Sequence, residues 1–531
     1  MLHRTLVVAA LCACGGAPTP PAGHLRFRNQ PPVWVVNDRR DVPHRPDVPT
    51  FLLDFYHWDA RWYRRMDRWL ERDTSRAADV NALDEAPDST WFTNRIGVRD
   101  LSPAEITRGT SVTGSPADHL PLVVKSSKKG GAATGFVVVD QRGVKYVLKF
   151  EDRGIPEVET GAAIVAQRLF WAAGYNVPEE HLLRLRRDDL ELAADAVARA
   201  DDGSEERLTV AALDETLAKV DVRRDGTMRA LASQFLPGEP IGGHAREGVR
   251  SDDPNDTVPH QHRRALRGAR AIAAWLDHMD MKESNTVDSW VEDQADPSVH
   301  YVIHYLIDFG KALGAMSYVD CLVKHERGCR SLAVPGVALT TRGFEPGAWK
   351  TWRPSYFPFI DADRFDGFWG AKIVVRFTRD QLRAAAALGQ YSDPRAVDHM
   401  VDVLVARQQA VARHWFAQVN PVDRFDADAA AGGWAVCFDD LAVKYRLESP
   451  ASTRYRARAF DHDGRPTGWR GAARAAPDGR ACLTVAPAAG RDRYTIVELV
   501  TERAGKTPPA LVHVAIAPDT GAPHVIGIER R

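Results

Sequence analysis

His278-Met-Asp280-Met-Lys282-Glu-Ser-Asn285 is the stretch on which the fold reading turns. It follows an apolar helical pattern over residues 260–277 and leads into two strand-like runs flanking residues 293–297. The residue types suit one chemistry. An Asp can take a hydroxyl proton and orient the oxygen, a Lys two positions on can neutralise a moving phosphoryl group, and an Asn five positions on can offer a carbonyl to a metal ion. From this chain's residue frequencies, chance matches are expected on the order of 10⁻³ times. The competing reading is a polar helix end with a capping Asn. Downstream, Tyr305-Leu-Ile-Asp308-Phe-Gly310 is an apolar strand ending in a second acid. The 23 residues from Asn285 to Asp308 leave room for a hairpin at 292–298.

Upstream, strand signals at 122–124, 136–139 and 145–150 bracket Gly130-Gly131-Ala-Ala-Thr-Gly135-Phe-Val137. Glycines there let a backbone approach phosphate oxygens, although Gly-rich hairpins are common. Tyr146-Val-Leu-Lys149 puts a Lys on an apolar strand 14 residues after Gly135. A helix is expected over 156–173, with Glu157 and Glu159 in its first turn and Pro156 at its start. Further strands are expected at 181–185, 190–193 and 230–235, and helices at 379–388 and 394–419.

In this order the segments resemble the protein-kinase-like superfamily: a glycine loop with Ala132 for its middle glycine, a lysine strand, a helix, H-x-D-x-K-x-x-N and D-F-G. No Ala-Pro-Glu follows Asp308, and residues 311–378 read as irregular. The chain therefore looks closest to the HipA-like and phosphoinositide-kinase-like branch, over about residues 120–420. The resemblance implies ATP and Mg²⁺ as cofactors, with Asp280 as base and Lys282 on the γ-phosphate. Asn285 and Asp308 would hold the metal, and Gly130, Gly131 and Gly135 would cover the phosphates. Lys149 would be fixed by a helix acid. In HipA-like kinases that acid precedes a Gly-hydrophobic-x-Val-Pro segment, here Gly174-Tyr-Asn-Val-Pro178, by about eleven residues. Ala163 stands there, so Glu159, one turn back on the same face, takes the part. Ser233-Gln234-Phe-Leu236 would be the hinge facing adenine. The implied acceptor is a hydroxyl on a protein, a lipid headgroup or a small molecule. The competing class is a pseudokinase-like scaffold displaying a binding surface.

The chain has 531 residues and a net charge of −1, with 57 Arg and 13 Lys, so its electrostatics do not suit a nucleic-acid partner. Its N-terminus has a basic residue, an apolar run and Leu11-Cys12-Ala13-Cys14. That resembles a bacterial lipobox with Cys14 lipidated, against the alternative of a short buried helix. The expected location is the cell envelope, membrane-anchored and facing the periplasm or exterior. Cys321/Cys329 and Cys437/Cys482 then remain as two disulfides or four buried thiols. Residues 51–70 read as an amphipathic helix, packed on the core or lying on membrane. A zinc site at His260-Gln-His262 is set aside, because His-x-His at a helix start is usually surface and no third ligand is spaced for it. The expected fold is α+β, with the following parts: signal peptide 1–13, Pro-rich tether 14–50, helical extension 51–120, a kinase-like N-lobe 121–240 and C-lobe 241–425, and an all-β, sandwich-like domain 430–531.

Overall fold

The computed structural model describes residues 26–48, 76–128, 134–199, 204–324, 329, 331–352, 356–490, 492–503 and 507–531. Cys14, the apolar leader, the pattern over 51–70, Gly130 and Gly131 lie outside the described residues. The chain mixes α and β structure around one large sheet. Strands β1 (Leu122–Ser127), β2 (Gly135–Val139), β3 (Lys145–Phe150), β4 (Glu180–Leu185), β5 (Leu190–Arg199), β6 (Glu205–Arg207) and β7 (Met228–Gln234) lie in the order β4-β7-β3-β2-β1-β5-β6. Pairing is antiparallel throughout, except between β1 and β5.

Alternation along the strands decides what each face carries. Leu122, Val124, Phe136, Val138, Tyr146 and Leu148 are buried together with Leu213 and Leu217. The latter two come from α3 (Val210–Leu217), the third helix after α1 (Pro103–Arg108) and α2 (Val158–Ala173). Lys149, between Leu148 and Phe150, projects from the opposite face.

The helical part comprises α4 (Arg264–Trp275), α5 (Ala315–Lys324), α6 (Phe357–Asp361), α7 (Arg364–Val374), α8 (Arg379–Ala387) and α9 (Ala396–Phe416). The end of α4 is anchored by α9. Arg407 donates to the carbonyls of Trp275 (2.8 Å) and Ala274 (2.6 Å), and the Trp275 indole donates to Leu404 O (2.9 Å). A guanidinium thus satisfies carbonyls that a helix C-terminus leaves orphaned. Next come β8 (Glu239–Pro240), β9 (Thr286–Glu292) and β10 (His300–Leu306), a three-stranded sheet ordered β10-β9-β8. The β9–β10 hairpin has an unbroken register from His300↔Glu292 to Leu306↔Thr286.

The last part begins at Val422, earlier than the expected residue 430. Strands β11 (Val422–Ala430), β12 (Gly433–Asp440) and β15 (Arg480–Val485) form one sheet. Strands β14 (Pro466–Arg474), β13 (Arg454–Phe460), β16 (Thr495–Glu502), β17 (Ala510–Ile516) and β18 (Pro523–Arg530) form a second, in that order. A shared core of Trp434, Val436, Phe438, Tyr455, Leu483, Leu499 and Val512 lies with them. Cys437 and Cys482 face each other across β12 and β15 and are disulfide-bonded, as are Cys321 and Cys329.

Two expectations for the N-terminal region change. Residues 76–120 hold one six-residue α-helix, α1, and a single 3₁₀ turn, Pro116–His119; the rest is turn-rich chain. Residues 26–48 are docked rather than a free tether: Val42 N donates to His300 O (2.7 Å) and Asn29 Nδ2 to Ile516 O (2.8 Å). An extended chain leaves its backbone groups open to such partners. No described helix is long and apolar enough to cross a membrane.

Candidate active site

Two tight connections place the acids. After α4 the chain turns through Asp277 and His278 to Asp280, and a 3₁₀ turn, Glu283–Asn285, carries it into β9. Lys282 Nζ lies 2.8 and 2.9 Å from the two Asp280 carboxylate oxygens. Asn285 Nδ2 donates to Asp280 O (2.8 Å) and Asp280 Oδ2 (3.0 Å). Both amide hydrogens face the aspartate, so Asn285 Oδ1 remains an acceptor. The hairpin then returns the chain to Asp308, a non-glycine in the left-handed region at φ 62°. Strain of this kind persists where its surroundings over-determine it.

His278 is fully buried between Phe170 of α2 and Phe309, its ring 5.8 and 5.5 Å from theirs. Burial lowers its pKa to about 4, so the ring is a neutral packing element joining α2 to both connections.

A cavity of about 240 Å³ lies where these parts meet. Lys149, Glu159, Asp280, Lys282 and Asp308 line it, together with Lys128, Glu180 and Lys311. Lys149 Nζ is 2.8 Å from Asp308 Oδ1. Burial works against the ammonium, but Asp308 outweighs it and holds the Lys149 pKa above its ordinary value. Burial likewise opposes the Asp308 carboxylate, and Lys149 first, with Lys282 behind it, brings its pKa below the usual range.

Three expectations are corrected here. Glu159 does not pair with Lys149. It pairs with Lys311, three residues beyond Asp308, whose 3₁₀ turn packs on α2, while Lys149 is taken by Asp308. Gly135 is no loop residue: it opens β2 opposite Lys149, and a Cβ there would stand 2.1 Å from Leu148 O, so close strand approach demands it. The Gln234 N–H donates to Glu179 O (2.8 Å) and cannot face adenine; neither Gln234 nor Leu236 lines the cavity.

Three charged lining residues had no place in the sequence reading. Lys128 directly follows β1, and Lys311 directly follows Asp-Phe-Gly. Glu180 opens β4 in register with Ser233 of β7. It is buried, its Oε2 has no hydrogen-bond partner, and burial raises its pKa to about 7 against the pull of Lys149. Glu179-Glu180 after Val-Pro was the available signal, but only sheet register says which glutamate enters the cleft.

No protein-family model matches the chain, and no curated protein matches it in sequence. Similar solved structures include kinases. One is a Golgi casein kinase with Mn/ADP bound: 10% identity, 70% of this chain and 95% of that chain covered, TM-score 0.31. The Rio2 kinase from Chaetomium thermophilum is 14% identical over 45% of this chain and 67% of its own, TM-score 0.19. Its ADP/Mg²⁺-phosphoaspartate complex is 15% identical over 55% and 72%, TM-score 0.21. Scores this low settle nothing about chemistry, which is read from this chain's own side chains.

Proposed function

We propose that the chain is an ATP-dependent phosphotransferase with a two-lobed kinase-like fold, passing the γ-phosphoryl group to a hydroxyl acceptor. One observation carries this reading: Lys149, the Asp280–Lys282 pair and Asp308, drawn from three segments, line one cavity, with Asn285 bonded to Asp280. The oxygen donors Asp308 and Asn285 suit a hard cation. Magnesium held there would neutralise charge on the β- and γ-phosphates.

The protein's own groups divide the remaining work. Asp280 accepts the acceptor's proton and aims its oxygen. Lys282, held on Asp280, lies beside the path of the moving group and stabilises its charge. Lys149 leaves Asp308 for the phosphates, which frees Asp308 for the metal. Glu180 gives Lys149 a second carboxylate to rest against and so positions it.

Asp280→Asn should lower phosphotransfer by about 10²–10⁴-fold. Magnesium-dependent ATP binding, measured by calorimetry, should be retained. An Asp280→Asn protein with full transfer overturns the reading. A wild-type protein that binds no ATP leaves the scaffold reading instead, and that reading too is compatible with a cleft closed by the Lys149–Asp308 and Glu159–Lys311 pairs.

The location belongs to the same proposal: a lipid-anchored protein of the cell envelope, attached through Cys14. Two disulfides in one chain suit an oxidising compartment. Cys14→Ser should move the protein from the membrane to the soluble fraction; wild-type protein already soluble overturns the anchor.

A further inference from the structure

Beside the β9–β10 hairpin, outside the lining of the cavity, three buried side chains converge. Asp288 and His304 are direct cross-strand partners, and His244 comes from the segment after β8. Their ligand atoms all lie within 4.8 Å of one another. His304 Nδ1 is 2.7 Å and His244 Nδ1 3.3 Å from the same oxygen, Asp288 Oδ1. Asp288 Oδ2 is buried with no hydrogen-bond partner, and Arg250 Nη1 is 3.7 Å away. One carboxylate oxygen can accept from both rings, but that leaves the second oxygen buried and unsatisfied. A cation seated among the three ligand atoms would take up that remaining capacity.

We propose that His244, Asp288 and His304 form a buried three-ligand site for a borderline divalent metal, with zinc as its first occupant and water in its fourth position. Two imidazoles and a carboxylate are a donor set for such a metal. At zinc–ligand distances of about 2.0–2.2 Å, tetrahedral ligand atoms stand about 3.3 Å apart. The His244–Asp288 separation already matches; His304 needs to open by about 0.6 Å.

The surroundings complete the site. Tyr356 Oη lies 3.4 Å from His244 Nε2, where it can accept the Nε2 proton and so leave Nδ1 free to face a metal. Trp91 stacks on His304 at 3.5 Å between centroids and lies against His244 at 4.9 Å, walling one side of the site. Arg250 is itself paired with Asp252 (2.9 Å), so its charge beside Asp288 is already offset. Zinc there pins the hairpin to the segment after β8. That hairpin carries Asn285 just before one strand and Asp308 just after the other. The sequence pattern hides the site, because 44 and 16 residues separate the ligands. His260, set aside as a surface residue, is buried as well, but Asp256 and Ala245 O hold its two nitrogens.

The test uses the full chain purified without chelator, dialysed against zinc, with metal counted by mass spectrometry. About one zinc per chain is expected to remain. Asp288→Asn and His304→Gln should lose it, whereas Asp308→Asn, altered in the catalytic cleft, should keep it. Wild-type protein loaded with cobalt(II) should show the visible d–d absorption of a low-coordinate site, a readout that needs no variant to fold. The inference is overturned by wild-type protein that holds neither zinc nor the cobalt band. It is equally overturned by zinc retained in folded Asp288→Asn, or lost in Asp308→Asn.

Discussion

Four of the 13 lysines, Lys128, Lys149, Lys282 and Lys311, line one cavity in a chain whose net charge is −1. Lysines this scarce mark a local field rather than a generic surface, and they face four carboxylates: Glu159, Glu180, Asp280 and Asp308. Among these, Glu180 stands out because burial makes its charge costly. In the unfolded chain it ionises near its ordinary 4.5, and in the folded chain near 7. Between those values the unfolded state gives up its proton first, so the penalty on folding grows from about pH 4.5 to 7 and persists above. It reaches on the order of 3 kcal/mol. Glu180→Gln should therefore stabilise the protein by that order at pH 8 and change little at pH 4, as read by urea midpoints at both. The same variant should lose phosphotransfer, a stability–activity trade placed in the cleft. A variant less stable than wild type at pH 8 contradicts this account.

At the scale of elements, the legible parts are those whose chemistry is contiguous in sequence. The stretch 278–285 and Asp308-Phe-Gly310 each lie within one connection, and the lysine strand Lys145–Phe150 stands as expected. What was not legible depends on register or on competition for a partner. Whether Glu180 or Glu179 enters the cleft follows from pairing with β7, and the Gln234 N–H is lost to Glu179 O by the same pairing. Glu159 and Lys149 each found another partner once the turn after Asp308 packed on α2. Helix packing was equally silent. Where α4 crosses α7, Gly268 faces the Trp369 ring, and a Cβ on Gly370 would stand 2.3 Å from Gly268 O. Backbone cannot step aside as a side-chain tip can, so Gly370→Ala should destabilise by about 1–3 kcal/mol, against a helix-propensity gain of up to about 1 kcal/mol. Because α4 delivers His278, residual phosphotransfer should fall with it. A stabilised Gly370→Ala protein would mean that the helices separate freely.

The molecule as a whole is joined by buried charge. Arg264 of α4 meets Asp84 (2.9 Å) and Asp366 (2.9 Å), and Lys372 of α7 meets Glu85 and Asp423 (2.7 Å for the latter). Arg530, near the C-terminus of the chain, closes the network. It reaches Asp84 (3.1 Å), Asp423 (3.0 Å) and the carbonyls of Val422 (2.7 Å) and Asn420 (3.1 Å). Segments more than 400 residues apart thus share one desolvated network, and the β-rich part is fastened to the helical part rather than strung behind it. Such pairs are weak evidence of net stability, but removing one partner strands the others. Arg530→Met leaves Asp84 and Asp423 short of a cation and two carbonyls without their donor. It should lower stability by about 3–5 kcal/mol. Limited proteolysis should then cut near residues 417–421, between α9 and β11, and release the β-rich part. Arg456→Met serves as the control: its pair with Glu502 is solvent-exposed and should contribute at most about 1 kcal/mol. If Arg530→Met and Arg456→Met share the wild-type midpoint and neither gains the cleavage, the network does not hold the two parts together.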